Sequence, residues 1–231
     1  MGIDLEGSPL YKAVVQGRID DVRSSLTNKV FSWDLTDHDE DDYIFRQALG
    51  KAIEIDRQDI VRAMFQSQFG DLEYGVGNWK HQYVAEALET AARLGKQEIV
   101  KQLLETEKDS IRRISNALAH GAWSRNLHIL QMLIDAGASA NCETTWGTPL
   151  IAAARTGDLK VVQFLVEAGA DINMWVDMDG YTSPLLVSAY DGHEEVFEYL
   201  LPLVTNEEEI EAARNALPRK AARRKQREQM E

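Results

Sequence analysis

The side chains that most often perform chemistry are few in this chain and widely spaced. The five histidines are His38, His81, His120, His128 and His193. No two of them stand one helical turn apart, as they would in a zinc-binding helix. The single cysteine, Cys142, stands beside Asn141 and is interpreted as a surface or half-buried thiol. With no nucleophile elbow and no phosphate-binding loop, the sequence predicts no catalytic residue and no enzymatic activity.

Residues 34–42 are rich in aspartate and glutamate, whose carboxylates are ligands of calcium sites. A calcium-binding EF-hand loop that begins at Asp37 would need glycine at its sixth position and glutamate at its twelfth. The sequence has Asp42 and Ala48 at those positions. The run Gly75-Val76-Gly77 lacks the third glycine and the preceding strand of a nucleotide-binding fingerprint. We therefore expect no metal site and no cofactor.

A sequence pattern recurs six times, and it determines which helices and turns position any remaining candidate functional residue. Its clearest copy runs from Thr148-Pro149-Leu150 to Gly169-Ala170. The equivalent leucines, here called anchor leucines, are Leu10, Leu49, Leu88, Leu118, Leu150 and Leu185. Their separations of 39, 39, 30, 32 and 35 residues indicate stacked supersecondary units.

Each copy predicts two short helices joined by a tight turn. A polar residue and then Pro or Ala precede each anchor leucine, and Ser, Thr or Asn can cap a helix there. Seven residues after the leucine stands glycine in four copies, whereas two copies have Asp56 and Arg125. Glycine ends the first helix because it accepts a left-handed backbone. A second helix with apolar pairs follows, such as Val161-Val162 in the fifth copy.

This pattern resembles the ankyrin repeat, most clearly at Thr148-Pro149-Leu150 with Gly169-Ala170-Asp171-Ile172-Asn173, and at Ser183-Pro184-Leu185. The resemblance covers roughly residues 5 to 205. It implies an all-α solenoid of six helix-turn-helix units with a terminal capping helix. The predicted array spans residues 1–217, with units starting near 8, 47, 86, 116, 148 and 183 and the capping helix from about 206. A basic tail occupies residues 218–231.

Two features of the array are expected to contact a partner. The first two intervals exceed the usual repeat length by about six residues, and we expect the excess in two connectors, 31–42 and 70–80. In ankyrin-like proteins such connectors form fingers at the rim of a concave groove. The resemblance also implies that the residues five and six positions after each anchor leucine point into that groove.

Residue type then selects the candidate contacts, because Trp, Tyr and Arg dominate binding hot spots. The candidates are Glu54, Arg93, Trp123, Arg155, Tyr190 and Asp191 in the groove, and Trp146, Trp175 and Tyr181 in the fingers. For Trp146 and Trp175, packing between connectors is an equally good interpretation.

The charge distribution gives two hypotheses about partners. The net charge is −13, and six basic residues lie close together in the tail: Arg219, Lys220, Arg223, Arg224, Lys225 and Arg227. Without this tail the net charge is −17, which repels nucleic acid and favours a partner protein with a basic surface. We therefore interpret the chain as a non-catalytic protein-interaction module. The alternative is a nucleic-acid or ribonucleoprotein-associated factor tethered by the tail.

The expected setting of the protein follows from what the sequence lacks. The single cysteine excludes an internal disulfide and fits a reducing compartment. The chain has no uninterrupted apolar run near 20 residues in length, and residues 1–9 carry no basic, apolar leader. We expect a cytoplasmic monomer without a membrane span.

Overall fold

The computed structural model describes residues 4–28, 39–69, 79–106, 111–177 and 181–216. The chain divides into two compact units, which we call the N-terminal half (Met1–Asp109) and the C-terminal half (Ser110–Glu231). Each half contains three pairs of helices. The predicted helix-turn-helix architecture is thus confirmed in the described residues. None of the described helices is long and apolar enough to cross a membrane.

The N-terminal half stacks three helix pairs on one another. They are α1 (Pro9–Val15) and α2 (Ile19–Asn28), α3 (Asp39–Glu54) and α4 (Gln58–Phe69), and α5 (Trp79–Arg93) and α6 (Gln97–Thr106). The first helices pack in the order α1, α3, α5, and the second helices in the order α2, α4, α6. The anchor leucines Leu10, Leu49 and Leu88 are buried between the layers.

The C-terminal half repeats this arrangement with shorter helices towards its end. Its pairs are α7 (Ile111–Ser124) and α8 (Leu127–Asp135), α9 (Pro149–Thr156) and α10 (Leu159–Glu167), and α11 (Pro184–Asp191) and α12 (Glu194–Leu200). Helix α9 packs against both α7 and α11. Leu118, Leu150 and Leu185 have no exposed surface, so the anchor positions form the core here too. The strands of the described chain are two residues long: β1 (Val176–Asp177) pairs antiparallel with β2 (Tyr181–Thr182).

Three first helices begin at the predicted cap. The hydroxyl oxygens of Ser8, Thr148 and Ser183 accept hydrogen bonds from the backbone N–H three residues later, at 3.4, 3.2 and 3.2 Å. The next residue in each case is proline. Proline suits the first helical position because the N–H it lacks would have no partner in the helix.

The other three first helices begin earlier than the starts near 47, 86 and 116. Helices α3, α5 and α7 have 16, 15 and 14 residues, against 7 or 8 for α1, α9 and α11. The physical reason is that Ala48, Ala87 and Ala117 stand where the other repeats have proline. Alanine keeps the N–H and avoids the clash that bars proline from a helix interior. Asn116, which stands at the position where a polar side chain can cap the helix in other copies, consequently lies inside α7 and does not cap it.

The long connectors are also partly helical. Residues 39–42 belong to α3 and residues 79–80 belong to α5, so assigning all of the excess length to connectors was wrong. The remainder of both predicted connectors, 31–38 and 70–78, lies outside the described residues.

All six first helices end in the same backbone conformation, seven residues after the anchor leucine. The φ angles there lie between 55° and 73°. The six residues are Gly17, Asp56, Gly95, Arg125, Gly157 and Gly192. The predicted glycine turn is confirmed, and the two non-glycine residues adopt the same left-handed turn despite their Cβ atoms.

Helix α13, residues 207–216, closes the described part of the chain. The side-chain oxygen of Asn206 caps it by accepting the N–H groups of Glu208 and Glu209 at 3.0 and 3.2 Å. The buried Glu209 accepts a hydrogen bond from the Ser183 hydroxyl, which ties α13 to the start of α11. This is the predicted capping helix. Residue 217, at which the predicted array ends, lies outside the described residues.

Candidate partner-binding surface

The residues five and six positions after the anchor leucines lie at the C-terminal ends of the first helices. We call this set of positions the groove row. Each first helix ends on one of these two positions, for example α5 at Arg93 and α9 at Thr156. Neighbouring first helices pack against each other, so the row continues from one repeat to the next within each half.

The row of the N-terminal half is largely aliphatic. Val15, Ile55 and Leu94 are 48%, 36% and 38% exposed, and Glu54 and Arg93 are exposed beside them. The sequence prediction kept Glu54 and Arg93 and passed over the three aliphatic residues, because it selected by residue type. Position alone would have found them.

The row of the C-terminal half is aromatic with one cation. Trp123 and Tyr190 are 39% and 57% exposed, and Asp191 is exposed at the end of α11. Arg155 stands between them in the middle repeat and is half-buried. Thr156 differs from the others, because it is buried and its hydroxyl donates to the carbonyl oxygen of Ala153 at 2.8 Å. The C-terminal row therefore presents Trp123, Arg155, Tyr190 and Asp191.

The two finger tryptophans are more than half exposed. Trp146 stands in the tight turn closed by reciprocal hydrogen bonds between Thr144 and Gly147, each 3.1 Å, and it is 52% exposed. Trp175 precedes β1 and is 53% exposed. Tyr181 begins β2, and its side chain lies outside what the structure describes. Packing between connectors buries less than half of the surface of either tryptophan. Partner binding by these residues stays a prediction.

Hydrogen bonds between neighbouring repeats fix the helix ends that carry the row. The last carbonyl groups of a helix have no intrahelical partner. Arg57 donates to the carbonyl oxygen of Gly17 at 2.9 Å, and Arg125 donates to that of Thr156 at 2.7 Å. A ring nitrogen of His193 lies 2.9 Å from the carbonyl oxygen of Arg155, so this histidine makes a structural contact between neighbouring repeats. Neighbouring first helices are thus joined where the row lies.

Two asparagines fix the bases of the fingers in the C-terminal half. Asn141 donates to the carbonyl oxygen of Gly169 at 3.0 Å and accepts the N–H of Asp171 at 2.7 Å. One connector later, the side-chain oxygen of Asn173 accepts the N–H of Thr205 at 3.1 Å. Each asparagine side chain thus links one connector to the next, so the connectors are held at their bases.

Cys142 lies in the same region, and its thiol has low reactivity. Its thiol is half-buried and donates to the carbonyl oxygen of Ser115 at a sulfur–oxygen distance of 3.0 Å. Burial raises the pKa of Cys142 to about 11. Since the thiolate is the reactive form, this side chain is a poor nucleophile near neutral pH, and the predicted half-buried thiol is confirmed.

A polar network in the N-terminal half was missed at the sequence level. The Arg46 guanidinium donates to Asp42 at 2.8 Å and also to Glu86, and the Tyr83 hydroxyl donates to Asp42. Arg46 also lies over the Tyr83 ring, with its guanidinium carbon 4.9 Å from the ring centroid. Burial and the bond to Asp42 raise the pKa of Tyr83. For Arg46, burial lowers the pKa, but hydrogen bonds to Asp42 and Glu86 raise it more.

This network joins α3 to α5 and is structural in character. Its one sequence signal was the spacing of Asp42 and Arg46, four residues apart on one helix face. The partner Glu86 lies forty residues away, so only the packing of α5 beside α3 brings it into reach.

The remaining predicted residues give no site in the structure. Among the described residues, no group of three or more His, Cys, Asp and Glu side chains could hold a metal ion. The basic tail, Arg219 to Arg227, lies outside the described residues. No feature of the described part favours the nucleic-acid hypothesis.

Comparison with known proteins identifies the repeats. Residues 117–213 match the family model described as "Ankyrin repeats (3 copies)". Over 54 residues the chain is 46% identical to Ankyrin repeat and SAM domain-containing protein 6 from Rattus norvegicus and 44% identical to the protein of that name from Mus musculus. Each alignment covers 23% of this chain and 6% of the relative. The likeness therefore concerns a small part of those proteins.

A solved structure extends the comparison to most of the chain. The ankyrin repeat domain of Bcl-3, described as a unique member of the IkappaB protein family, matches with a TM-score of 0.58 and 19% sequence identity. The match covers 86% of this chain and 87% of that domain. At this identity the likeness concerns the fold. Residues 117–213 thus match ankyrin repeats in sequence, and the chain shares the fold of an ankyrin repeat domain; ankyrin repeats are in general protein-protein interaction modules.

Proposed function

We propose that this protein is a non-catalytic interaction module whose partner protein binds along the groove row and fingers of the C-terminal half. One observation carries the proposal. The adjacent helices α7, α9 and α11 carry Trp123, Arg155 and Tyr190 as their next-to-last residues, at the same position of the repeat, and the two aromatic side chains are exposed. These three residue types supply most of the binding energy in protein interfaces.

The scaffold beneath these side chains favours tight binding. The hydrogen bonds of Arg125 and His193 to the carbonyl oxygens at the end of α9 hold neighbouring repeats together. A surface that is already ordered loses little conformational entropy when a partner binds. Trp146 and Trp175, on connectors fixed by Asn141 and Asn173, extend the proposed surface beyond the helices.

The charge of the C-terminal half indicates which kind of partner it attracts at long range. Residues 127–213 contain fifteen acidic residues and two basic residues, Arg155 and Lys160. Such a surface accelerates encounter with a partner of positive net charge and repels nucleic acid. We therefore propose a partner protein with a basic surface, bound by a cytoplasmic monomer.

Affinity capture with matched baits tests this function. The full chain, a Trp123→Ala/Tyr190→Ala variant and a Leu203→Ala control are each immobilised and exposed to the same lysate. Leu203 is a suitable control because it is 40% exposed and lies outside the row. A partner of the proposed site is retained by the wild type and the control and lost from the double variant, and it then binds the wild-type chain when both are purified.

Two results would contradict the proposal. In one, every partner confirmed with purified protein binds the double variant as well as it binds the wild type. In the other, capture survives in the double variant but is lost when residues 218–231 are deleted or when nuclease is added. The second result would support the nucleic-acid alternative instead.

A further inference from the structure

Arg155 differs from the other arginines that the structure describes in having a buried guanidinium nitrogen without an acceptor. Arg46 is held by Asp42 and Glu86, and Arg57 by Asp59 and a backbone carbonyl. The side chain of Arg155 makes no hydrogen bond and no ion pair within the described residues, and its Nε atom is buried without a partner. A guanidinium carries five N–H donors and a permanent charge, so this is an unusual state for a half-buried side chain.

A shortage of carboxylates does not explain this state. Fifteen acidic residues lie within 127–213, where Arg155 is one of two bases. The C-terminal end of α9 stabilises a cation through the helix dipole, but that interaction supplies no acceptor for the N–H groups. A polar group withdrawn from water without a hydrogen bond costs stability. The buried Nε itself is out of reach of a bound molecule, but the residue as a whole is half-buried, so a bound acceptor can compensate by pairing with the part of the guanidinium that stays accessible.

The surroundings of Arg155 define which acceptor fits. Trp123 and Tyr190 occupy the same position in the flanking repeats and expose aromatic surface on either side. A carboxylate is the group whose two oxygens match the planar guanidinium in a bidentate pair. Apolar side chains on both sides of that carboxylate would cover the two rings and exclude water, which strengthens the ion pair.

We infer that Arg155 is the anion-binding anchor of the C-terminal groove row, and that the partner segment seated there carries one aspartate or glutamate flanked by apolar residues. This inference rests on the proposed function and specifies its partner. The acidic surroundings limit the segment to a single carboxylate, because further negative charge would be repelled. The segment therefore belongs to a partner whose remaining surface is neutral or basic.

Selection from a library tests this inference without a known partner. Phage displaying random twelve-residue peptides are selected on the full-length protein and on Leu203→Ala. The expected consensus holds one Asp or Glu within three residues of aromatic or aliphatic residues on both sides. A consensus without a carboxylate, or the absence of any selected sequence that has one, would overturn the inference.

A double-mutant cycle then assigns the carboxylate to Arg155. The best selected peptide and its Asp→Asn or Glu→Gln counterpart are titrated against the wild type, Arg155→Gln and Trp123→Ala, after circular dichroism has established that each variant is folded. The acidic peptide should bind the wild type about tenfold more tightly than its amide counterpart, the magnitude of one charge-assisted hydrogen-bonded pair. Arg155→Gln should abolish this preference, whereas Trp123→Ala should weaken both peptides alike.

The two proposals fail in different ways. If the peptide preference for a carboxylate survives in Arg155→Gln, the role assigned to Arg155 is wrong, while a loss of binding in Trp123→Ala would leave the proposed function standing. If neither Trp123→Ala nor Tyr190→Ala weakens any selected peptide, the groove row is not the binding surface, and both proposals fall together.

Discussion

Replacing Gly157 with alanine should destabilise the protein more than the same change at Gly95, although both residues end a first helix in the same way. Their φ angles are 70° and 71°. A Cβ atom on Gly157 would overlap the ring of His193, at 2.6 Å from Cε1 and 2.7 Å from Cγ. A Cβ atom on Gly95 would meet no described atom within 4 Å. The pair therefore separates the cost of the left-handed backbone from the cost of a steric clash.

The magnitudes follow from these two terms. A left-handed backbone costs an L-residue roughly 1–2 kcal/mol, and alanine recovers about 0.4–1 kcal/mol because it restricts the unfolded chain. Gly95→Ala should thus lower the free energy of unfolding by about 0.5–1 kcal/mol. Gly157→Ala must also displace His193 from the carbonyl oxygen of Arg155, a hydrogen bond of about 1 kcal/mol. Its total effect should be about 2 kcal/mol.

Urea unfolding followed by far-ultraviolet circular dichroism measures both variants under the same conditions. A third variant, Gly157→Ala in a His193→Ala background, serves as the internal control. With the ring absent, the change at position 157 should cost no more than the change at position 95. Equal losses for Gly157→Ala and Gly95→Ala in the wild-type background would refute the role given to His193.

Three further predictions concern the core, the turn and the thiol. Leu150→Ala should cost about 2–5 kcal/mol, because Leu150 has no exposed surface, and hydrogen exchange should show lost protection first in α7 and α11, against which α9 packs. Asp56→Gly should stabilise the chain by about 0.5 kcal/mol in thermal or urea unfolding, since it relieves a left-handed residue at φ 60° and gives up only a 3.9 Å ion pair with Lys96. Cys142 should react with iodoacetamide at pH 8 about a hundredfold more slowly than it does in the urea-unfolded chain, because burial raises its pKa to about 11. The rate of the reaction in the folded protein should keep rising up to about pH 11. The free energy of unfolding should fall between about pH 9 and 11, because only the folded state keeps the thiol proton in that range. A folded-state rate that levels off near pH 8.5 would contradict this prediction.

The repeats could be predicted from the sequence because the signals that mark them are local. An anchor leucine, a cap two residues before it and a turn seven residues after it all lie within about three helical turns. The glycine signal predicted the left-handed turn in four copies, and the structure shows the same turn at Asp56 and Arg125, where no glycine marks it. Four of the six copies have glycine at that position, and the common fold imposes the same turn on the two residues that do not favour it.

The helix starts of the middle repeats were predicted wrongly, although the sequence carries the residues that determine them. Pro9, Pro149 and Pro184 each stop a helix from extending towards the N-terminus, whereas Ala48 and Ala87 do not. Treating Pro and Ala as equivalent at this position concealed the longer helices. The buried Nε of Arg155, which has no partner among the described residues, could not be predicted from the sequence, because the absence of an acceptor depends on how the nearby carboxylates are directed in the folded chain.

The central claim is that a partner protein binds the groove row of the C-terminal half, and isothermal titration calorimetry with a purified partner tests it most directly. The same partner is titrated into the wild type, Trp123→Ala, Arg155→Ala, Tyr190→Ala and Leu203→Ala. We predict that Trp123→Ala weakens binding by about 2 kcal/mol, on the order of thirtyfold, that Arg155→Ala and Tyr190→Ala also weaken it, and that Leu203→Ala leaves it unchanged. Unchanged affinity in all three groove-row variants, each folded as judged by circular dichroism, would contradict the claim.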